Sequence, residues 1–176
     1  MKTGTVLGLA AALASAAARA APPADVTLKS ATDERIFRLA DARGKYVVLN
    51  FLLKTECPFC LRHTRAYVAG ADTLPNTLIL FIKPDSDEDI RKWASNLTAA
   101  ELKQFPIYRD PEAKLAEQFG IPSGYTFHGH VVRYPALIVL GPDGSEIFRH
   151  VGRNNADRFS FEQLAEKLRE LSRPKE

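Results

Sequence analysis

Tyr46-Val-Val-Leu-Asn-Phe-Leu-Leu-Lys-Thr-Glu-Cys57-Pro-Phe-Cys60 decides the fold. Its first eight residues, Tyr46–Leu53, are a continuous apolar run rich in β-branched and aromatic types. Such a run suits a central strand covered on both faces. A helix is expected over Cys57–Val68, with Pro58 in its first turn, where the missing N–H has no intrahelical partner anyway. The C-x-x-C therefore sits where a buried strand hands over to a helix.

That placement has a chemical use. Unpaired N–H groups and the helix dipole stabilise a thiolate at the helix start. A second cysteine one turn on can close or open a small disulfide ring. Cys57 is thus the expected nucleophile and Cys60 the resolving thiol. Lys54, Arg62 and Arg65 would favour the thiolate and Glu56 would oppose it. Two other readings of the pair remain open. A structural disulfide is weak, because a four-residue ring removes little chain entropy. Metal ligation is the other: Cys57, Cys60 and His63 read C-x2-C-x2-H, and His128 and His130 could add imidazoles, a set suited to zinc or copper(I). A haem attachment site needs His directly after the second Cys, and Leu61 stands there.

Working outward, strand and helix signals alternate. Arg35–Leu39 is a short strand closed by the turn Asp41-Ala-Arg-Gly44. Thr77–Ile82 is a second buried strand. Ser86–Ser95 reads as a helix with acidic residues in its first turn, and Trp93 as a packing residue on it. Thr98 caps a short helix over Ala99–Gln104. Asp110 caps another, with Pro111 first and Gly120 at its end. Pro135–Leu140, the turn Gly141-Pro-Asp-Gly144 and Glu146–His150 form a hairpin. Ser160 with Gln163 makes a capping box for a last helix with Phe161, Leu164, Leu168 and Leu171 on one face. This pattern predicts an α/β sandwich with a mixed central sheet.

Composition narrows the classes further. The 176 residues are 45% hydrophobic and 26% charged, with 10 Gly and 11 Pro, which excludes collagen-like and wholly disordered chains. Two cysteines do not make a disulfide scaffold. Met1–Ala20 reads as a secretory signal peptide: Lys2 precedes an apolar run from about Val6 to Ala18, and Ala18-Arg19-Ala20 fits a cleavage site. Residues 21–26 are a leader, 27–171 a single domain and 172–176 a tail. Without residues 1–20 the charge is 22 basic against 21 acidic. No basic stripe with interleaved aromatics marks a nucleic-acid binder, and the basic segment Arg149–Arg158 reads as solvated surface. An exported, periplasmic or secreted protein works where disulfides form and persist.

The run Phe37–Phe51 with Cys57-Pro-Phe-Cys60 resembles the thioredoxin superfamily, in its redoxin branch of peroxiredoxins and exported thioredoxin-like reductases. Asp110–Gly120 and Pro135–Gly144 resemble the segment before the last hairpin and the hairpin itself. The resemblance spans roughly residues 27–171. It implies a thioredoxin-like three-layer sandwich, its mixed central sheet flanked by helices. It implies that Pro135 is a cis-proline facing the disulfide, and that Tyr134, with Pro58 and Phe59, contacts bound partners. The expected activity is thiol–disulfide exchange with protein or small-molecule thiols, with no cofactor beyond the Cys57–Cys60 pair. A thiol-dependent peroxidase is the first alternative. Peroxiredoxins carry Pro seven and Thr three residues before the reacting Cys; here Asn50 and Lys54 precede Cys57 at those positions. Arg133 reads as a surface or strand-edge residue, with a resemblance to the peroxiredoxin arginine as the alternative. A copper- or zinc-binding module resembling the Sco family is the second alternative, although that family separates its cysteines by three residues. Thioredoxins carry an aromatic residue where Glu56 stands. About a dozen extra residues, Ile121–Arg133, form a loop beside the site or a surface hairpin.

Overall fold

The computed structural model describes residues 26–54, 57–127 and 130–173; residues 1–25, which include the expected signal peptide, lie outside them. A five-stranded sheet runs in the order β5 (Ile107–Arg109), β4 (Thr77–Lys83), β3 (Tyr46–Phe51), β8 (Ala136–Leu140), β9 (Glu146–Val151). Strands β3, β4 and β5 are parallel, while β8 and β9 are antiparallel to their neighbours. This is the mixed sheet expected.

Period-2 alternation sorts the strand residues onto two apolar layers. Val48, Phe81, Leu137 and Val139 face one layer, with Tyr67 and Cys60 of α1 (Pro58–Gly70), Trp93 of α2 (Asp87–Ala94) and Leu164 and Leu168 of α5 (Phe161–Leu171). Val47, Leu49, Leu80, Ile82 and Ile138 face the other, with Leu115 and Ala116 of α4 (Lys114–Gln118). Both faces of β3 are buried, which is why its sequence does not alternate.

The caps at Thr98 and Ser160 form as expected, and Ser86 adds a third. Each side chain accepts from the backbone N–H three residues on, and Thr98 and Ser160 complete capping boxes for α3 (Ala99–Gln104) and α5.

Several segments depart from expectation. The helix expected from Pro111 is broken: a 3-10 turn over Pro111–Ala113 precedes α4, and Glu112 (φ 58°) and Ala113 (φ 55°) are left-handed between them. Asp110 holds the second piece instead, its carboxylate accepting from the N–H groups of Leu115 (2.8 Å) and Ala116 (3.0 Å). Strands β1 (Thr27–Lys29), paired with β2 (Ile36–Arg38), and β5 have three residues each, too few to show a period. The segment Ile121–Arg133 is a hairpin of β6 (Ser123–Phe127) and β7 (His130–Arg133). Pro135 corrects the resemblance: no peptide bond among the described residues is cis. Trans is the ordinary state of an X-Pro bond, and here the Pro135 carbonyl accepts from Gly152 N–H at 2.8 Å.

Candidate active site

Cys57 is the N-cap residue of α1 with extended backbone (φ −85°, ψ 106°), and Pro58 is the first helical residue. The end of β3 thus delivers one sulfur to the helix start and the helix carries the second one turn inward. Both cysteines are free thiols, Cys57 half-buried and Cys60 buried. The Cys57 sulfur makes no side-chain cap to the helix; its main stabilising contact is the Cys60 thiol. That hydrogen bond, with smaller help from Arg158, the Cys60 backbone amide and Lys83, and against the cost of burial, lowers the Cys57 thiol to about 6. Burial pushes the Cys60 thiol up, and the hydrogen bond that it donates to Cys57 adds to this. The pair is polarised into a nucleophile and a proton-holding partner.

The nearest cations are not those expected from sequence. Arg158 Nη2 donates to Cys57 Sγ (3.3 Å) and Cys60 Sγ (3.2 Å). Lys83, the last residue of β4, is fully buried behind the pair. Its ammonium donates to Leu53 O at 2.5 Å, lies 3.4 Å from Asp85 Oδ2 and sits 4.8 Å over the Trp93 ring. Cys60 Sγ faces the same Leu53 carbonyl at 4.0 Å. Arg65 instead donates to Asn96 O (2.7 Å), and Arg62 stacks on Phe59 (5.2 Å). Glu56 lies outside the described residues. Arg149–Arg158 is therefore not simply solvated surface: Arg158 faces the sulfurs, and Arg149 is bound to the buried Glu146 carboxylate.

Expected partner-contact residues divide. Pro58 and Phe59 line a cavity of about 110 Å³ at Cys57, with Leu53, Lys54, Tyr125, Val132 and Asn155. Tyr134 lines the adjoining open trough with Phe59 and Tyr125. Pro135 lines a small cavity with His63, His150 and Arg158, and neither cysteine lines it. Arg133 is turned away, donating to Ile121 O (2.6 Å) and pairing with Glu117 (3.3 Å).

His63 Nε2 lies 3.1 Å from Asn50 Oδ1, and its ring packs 4.4 Å from that of Tyr67. Burial, helped by Arg158, lowers His63 to about 3, so it is neutral at working pH. Among the described residues no three histidine, cysteine or carboxylate side chains gather as a metal-ligand set, so Cys57, Cys60 and His63 do not form the centre that their spacing allows. His128 and the side chain of His130 lie outside those residues.

Gly152 holds the Arg158 loop close to the sheet. A Cβ there would lie 2.2 Å from Asp157 O and 2.9 Å from Pro135 Cγ. Gly152→Ala should cost about 1–3 kcal/mol in chemical denaturation, as over-packing does, and should slow Cys57 alkylation by moving Arg158. An unchanged denaturation midpoint would show that the loop yields freely.

The chain is similar in sequence to the AhpC/TSA family over residues 18–145, a stretch that holds both cysteines. No curated protein matches it. Three solved structures share its fold. The Streptococcus pneumoniae exposed lipoprotein thioredoxin Etrx1 is 24% identical, with TM-score 0.65 over 84% of this chain and 99% of that one. A mutant of Xylella fastidiosa PrxQ is 16% identical, with TM-score 0.66 over 84% and 90%. The Xanthomonas campestris bacterioferritin comigratory protein, whose study concerns alkyl peroxide reduction, is 17% identical, with TM-score 0.69 over 99% and 100%. The polarised dithiol at the strand–helix junction and the matched stretch together make this chain a thiol oxidoreductase of the AhpC/TSA family, in the redoxin branch of the thioredoxin superfamily.

Proposed function

We propose that the protein is a cofactor-free thiol peroxidase in which Cys57 attacks and Cys60 resolves. The observation that carries this is the Arg158 guanidinium on the attacking sulfur. A cation there favours the thiolate and can donate to the oxygen that leaves when an O–O bond breaks. It stands where the peroxiredoxin pattern is otherwise missing, since Asn50 and Lys54 replace the usual Pro and Thr. The family match and the peroxiredoxin folds support the same reading over the exchange activity that the sequence alone favours.

The thiolate of Cys57 attacks one peroxide oxygen. The O–O bond breaks, an alcohol or water leaves with a proton from solvent, and Cys57 becomes a sulfenic acid. Cys60 then attacks that sulfur, an S–S bond forms, and its proton leaves with the hydroxide as water. Two external thiol groups then exchange with this disulfide, supplying two electrons and two protons and leaving joined as a disulfide themselves. Met1–Ala20 supports an exported enzyme; among the described residues no helix is long and apolar enough to cross a membrane.

One observation favours a second reading, thiol–disulfide exchange. Cys60 already touches Cys57 in the reduced protein, so a mixed disulfide on Cys57 would be resolved without rearrangement. Stopped-flow mixing of reduced protein with hydrogen peroxide and with an organic hydroperoxide separates the two. We expect reaction at least about 10²-fold faster than free cysteine, the size of effect a positioned donor supplies. A rate equal to that of free cysteine, with rapid reduction of a protein disulfide, would replace peroxidase by exchange.

A further inference from the structure

Arg158 is held by little. Besides the two sulfurs, its one hydrogen-bond partner among the described residues is Asn155 O, which accepts from Nε at 3.1 Å. Placement of the guanidinium therefore depends on where Asn155 sits. The loop around it is tied internally: Asn154 Oδ1 accepts from the N–H groups of Ala156 (2.9 Å) and Asp157 (3.0 Å), and Asp157 accepts from Arg153 N–H (3.0 Å). Outward, the Asn155 amide donates to the Tyr125 hydroxyl at 2.7 Å. The amide oxygen of Asn155 is buried without a partner, so the contact to Tyr125 is the side chain's one hydrogen bond among the described residues. The link survives either amide orientation, because a tyrosine hydroxyl both donates and accepts.

The hairpin is built to make that contact. Pairing of β6 with β7 slips between Ser123 and Tyr125, leaving Gly124 as the extra residue. A bulge re-aims the side chains that follow it. A Cβ at Gly124 would meet Val132 O at 3.0 Å and the Tyr134 ring at 3.1 Å, so a side chain there would crowd the paired strand. Beyond the bulge, Tyr125 reaches Asn155, and both line the cavity at Cys57.

We propose that Tyr125 and Asn155 are positioning residues of the thiol centre: through their side-chain contact, the β6–β7 hairpin holds the loop that lays the Arg158 guanidinium across both sulfurs. This rests on the dithiol reading above, but not on the choice between peroxide and disulfide. The loop lies beyond the family match, which ends at residue 145. The chain thus couples its active-site arginine to the β6–β7 hairpin.

The test is alkylation of Cys57 by iodoacetamide in the full reduced chain. It is run one pH unit below the wild-type midpoint, where the thiolate fraction tracks that midpoint. The groups acting on this sulfur are Cys60, Arg158 and Lys83, and only Arg158 is reached through the hairpin link. Tyr125→Phe and Asn155→Ala should each slow alkylation about 2- to 5-fold, the lower range of one lost hydrogen bond. The double variant should be no slower than the slower single one, because both remove one contact. Tyr125→Phe keeps the ring, so its folding is preserved. Wild-type rates in both single variants, with Arg158→Gln slowed, would overturn the positioning role alone, as would additive losses in the double variant. A wild-type rate in Arg158→Gln would instead sink the arginine-assisted thiol centre.

Discussion

Cys57→Ser should abolish turnover, by about 10⁴-fold or more, whereas Cys60→Ser should leave the first chemical step intact and stop the cycle after it. The asymmetry follows from the two environments. Cys57 is half-buried, its thiol is lowered to about 6, and it lines the cavity. Serine there keeps the shape but has no accessible anion near neutral pH, and loss of a covalent nucleophile is among the largest single losses an enzyme shows. Cys60 is buried and keeps its proton, since burial and its bond to Cys57 both raise it. Its work begins only when Cys57 carries an oxygen or a partner sulfur. In Cys60→Ser, one equivalent of peroxide should therefore be consumed per chain, and Cys57 should be recovered as a sulfenic acid that a dimedone probe captures. Serine at 60 keeps an O–H donor toward the Cys57 sulfur, so the first step should run close to the rate of the unaltered protein. Equal loss in both variants, with no captured sulfenic acid, would mean that the two sulfurs do not divide the labour this way.

The second large effect is on stability. Lys83→Met should destabilise the fold by about 3 kcal/mol, the lower end for breaking a buried ion pair. The lysine is wholly buried, and Asp85, 3.4 Å away, is only 6% exposed. Methionine fills much of the volume but leaves that carboxylate without its ammonium and Leu53 O without its 2.5 Å donor. Leu53 precedes the segment that leads to Cys57, so the loss should also loosen the sulfur site. Urea denaturation of the reduced protein measures the first effect and Cys57 alkylation the second. Stability within about 0.5 kcal/mol of wild type, the range of an ordinary surface substitution, would show that the lysine is not an integral part of the core.

These two residues mark how far the sequence could be read. The β3–α1 junction is legible because its signals are local: a run that is apolar but for Asn50, a proline at a helix start, and cysteines with two residues between them. The cap at Thr98 and the capping box at Ser160 are legible for the same reason. Arg158 is not, since it reaches Cys57 across 101 residues of chain, and nothing in a run of basic residues says which one turns inward. Lys83 ends an apolar strand, where a lysine ordinarily turns to water; only the loop from Leu53 and the neighbouring Asp85 make burial tolerable. Asp110 and Pro111 carry helix-start chemistry, yet the left-handed Glu112 and Ala113 break the helix behind them. Pro135 shows the opposite hazard. Its expected cis bond came from resemblance, and the local backbone is trans. The cation at the sulfurs also shifts the reading from exchange toward peroxide reduction, while the pair itself sits at the helix start.

The most direct measurement is the pH dependence of Cys57 alkylation in the reduced, full-length protein. Thiolate is the reactive form, so the rate should rise about tenfold per pH unit below the midpoint, turn over near pH 6 and stay level above it. A rate that keeps climbing to about pH 8.5, as for an unperturbed cysteine, would contradict the polarised pair on which the whole account depends.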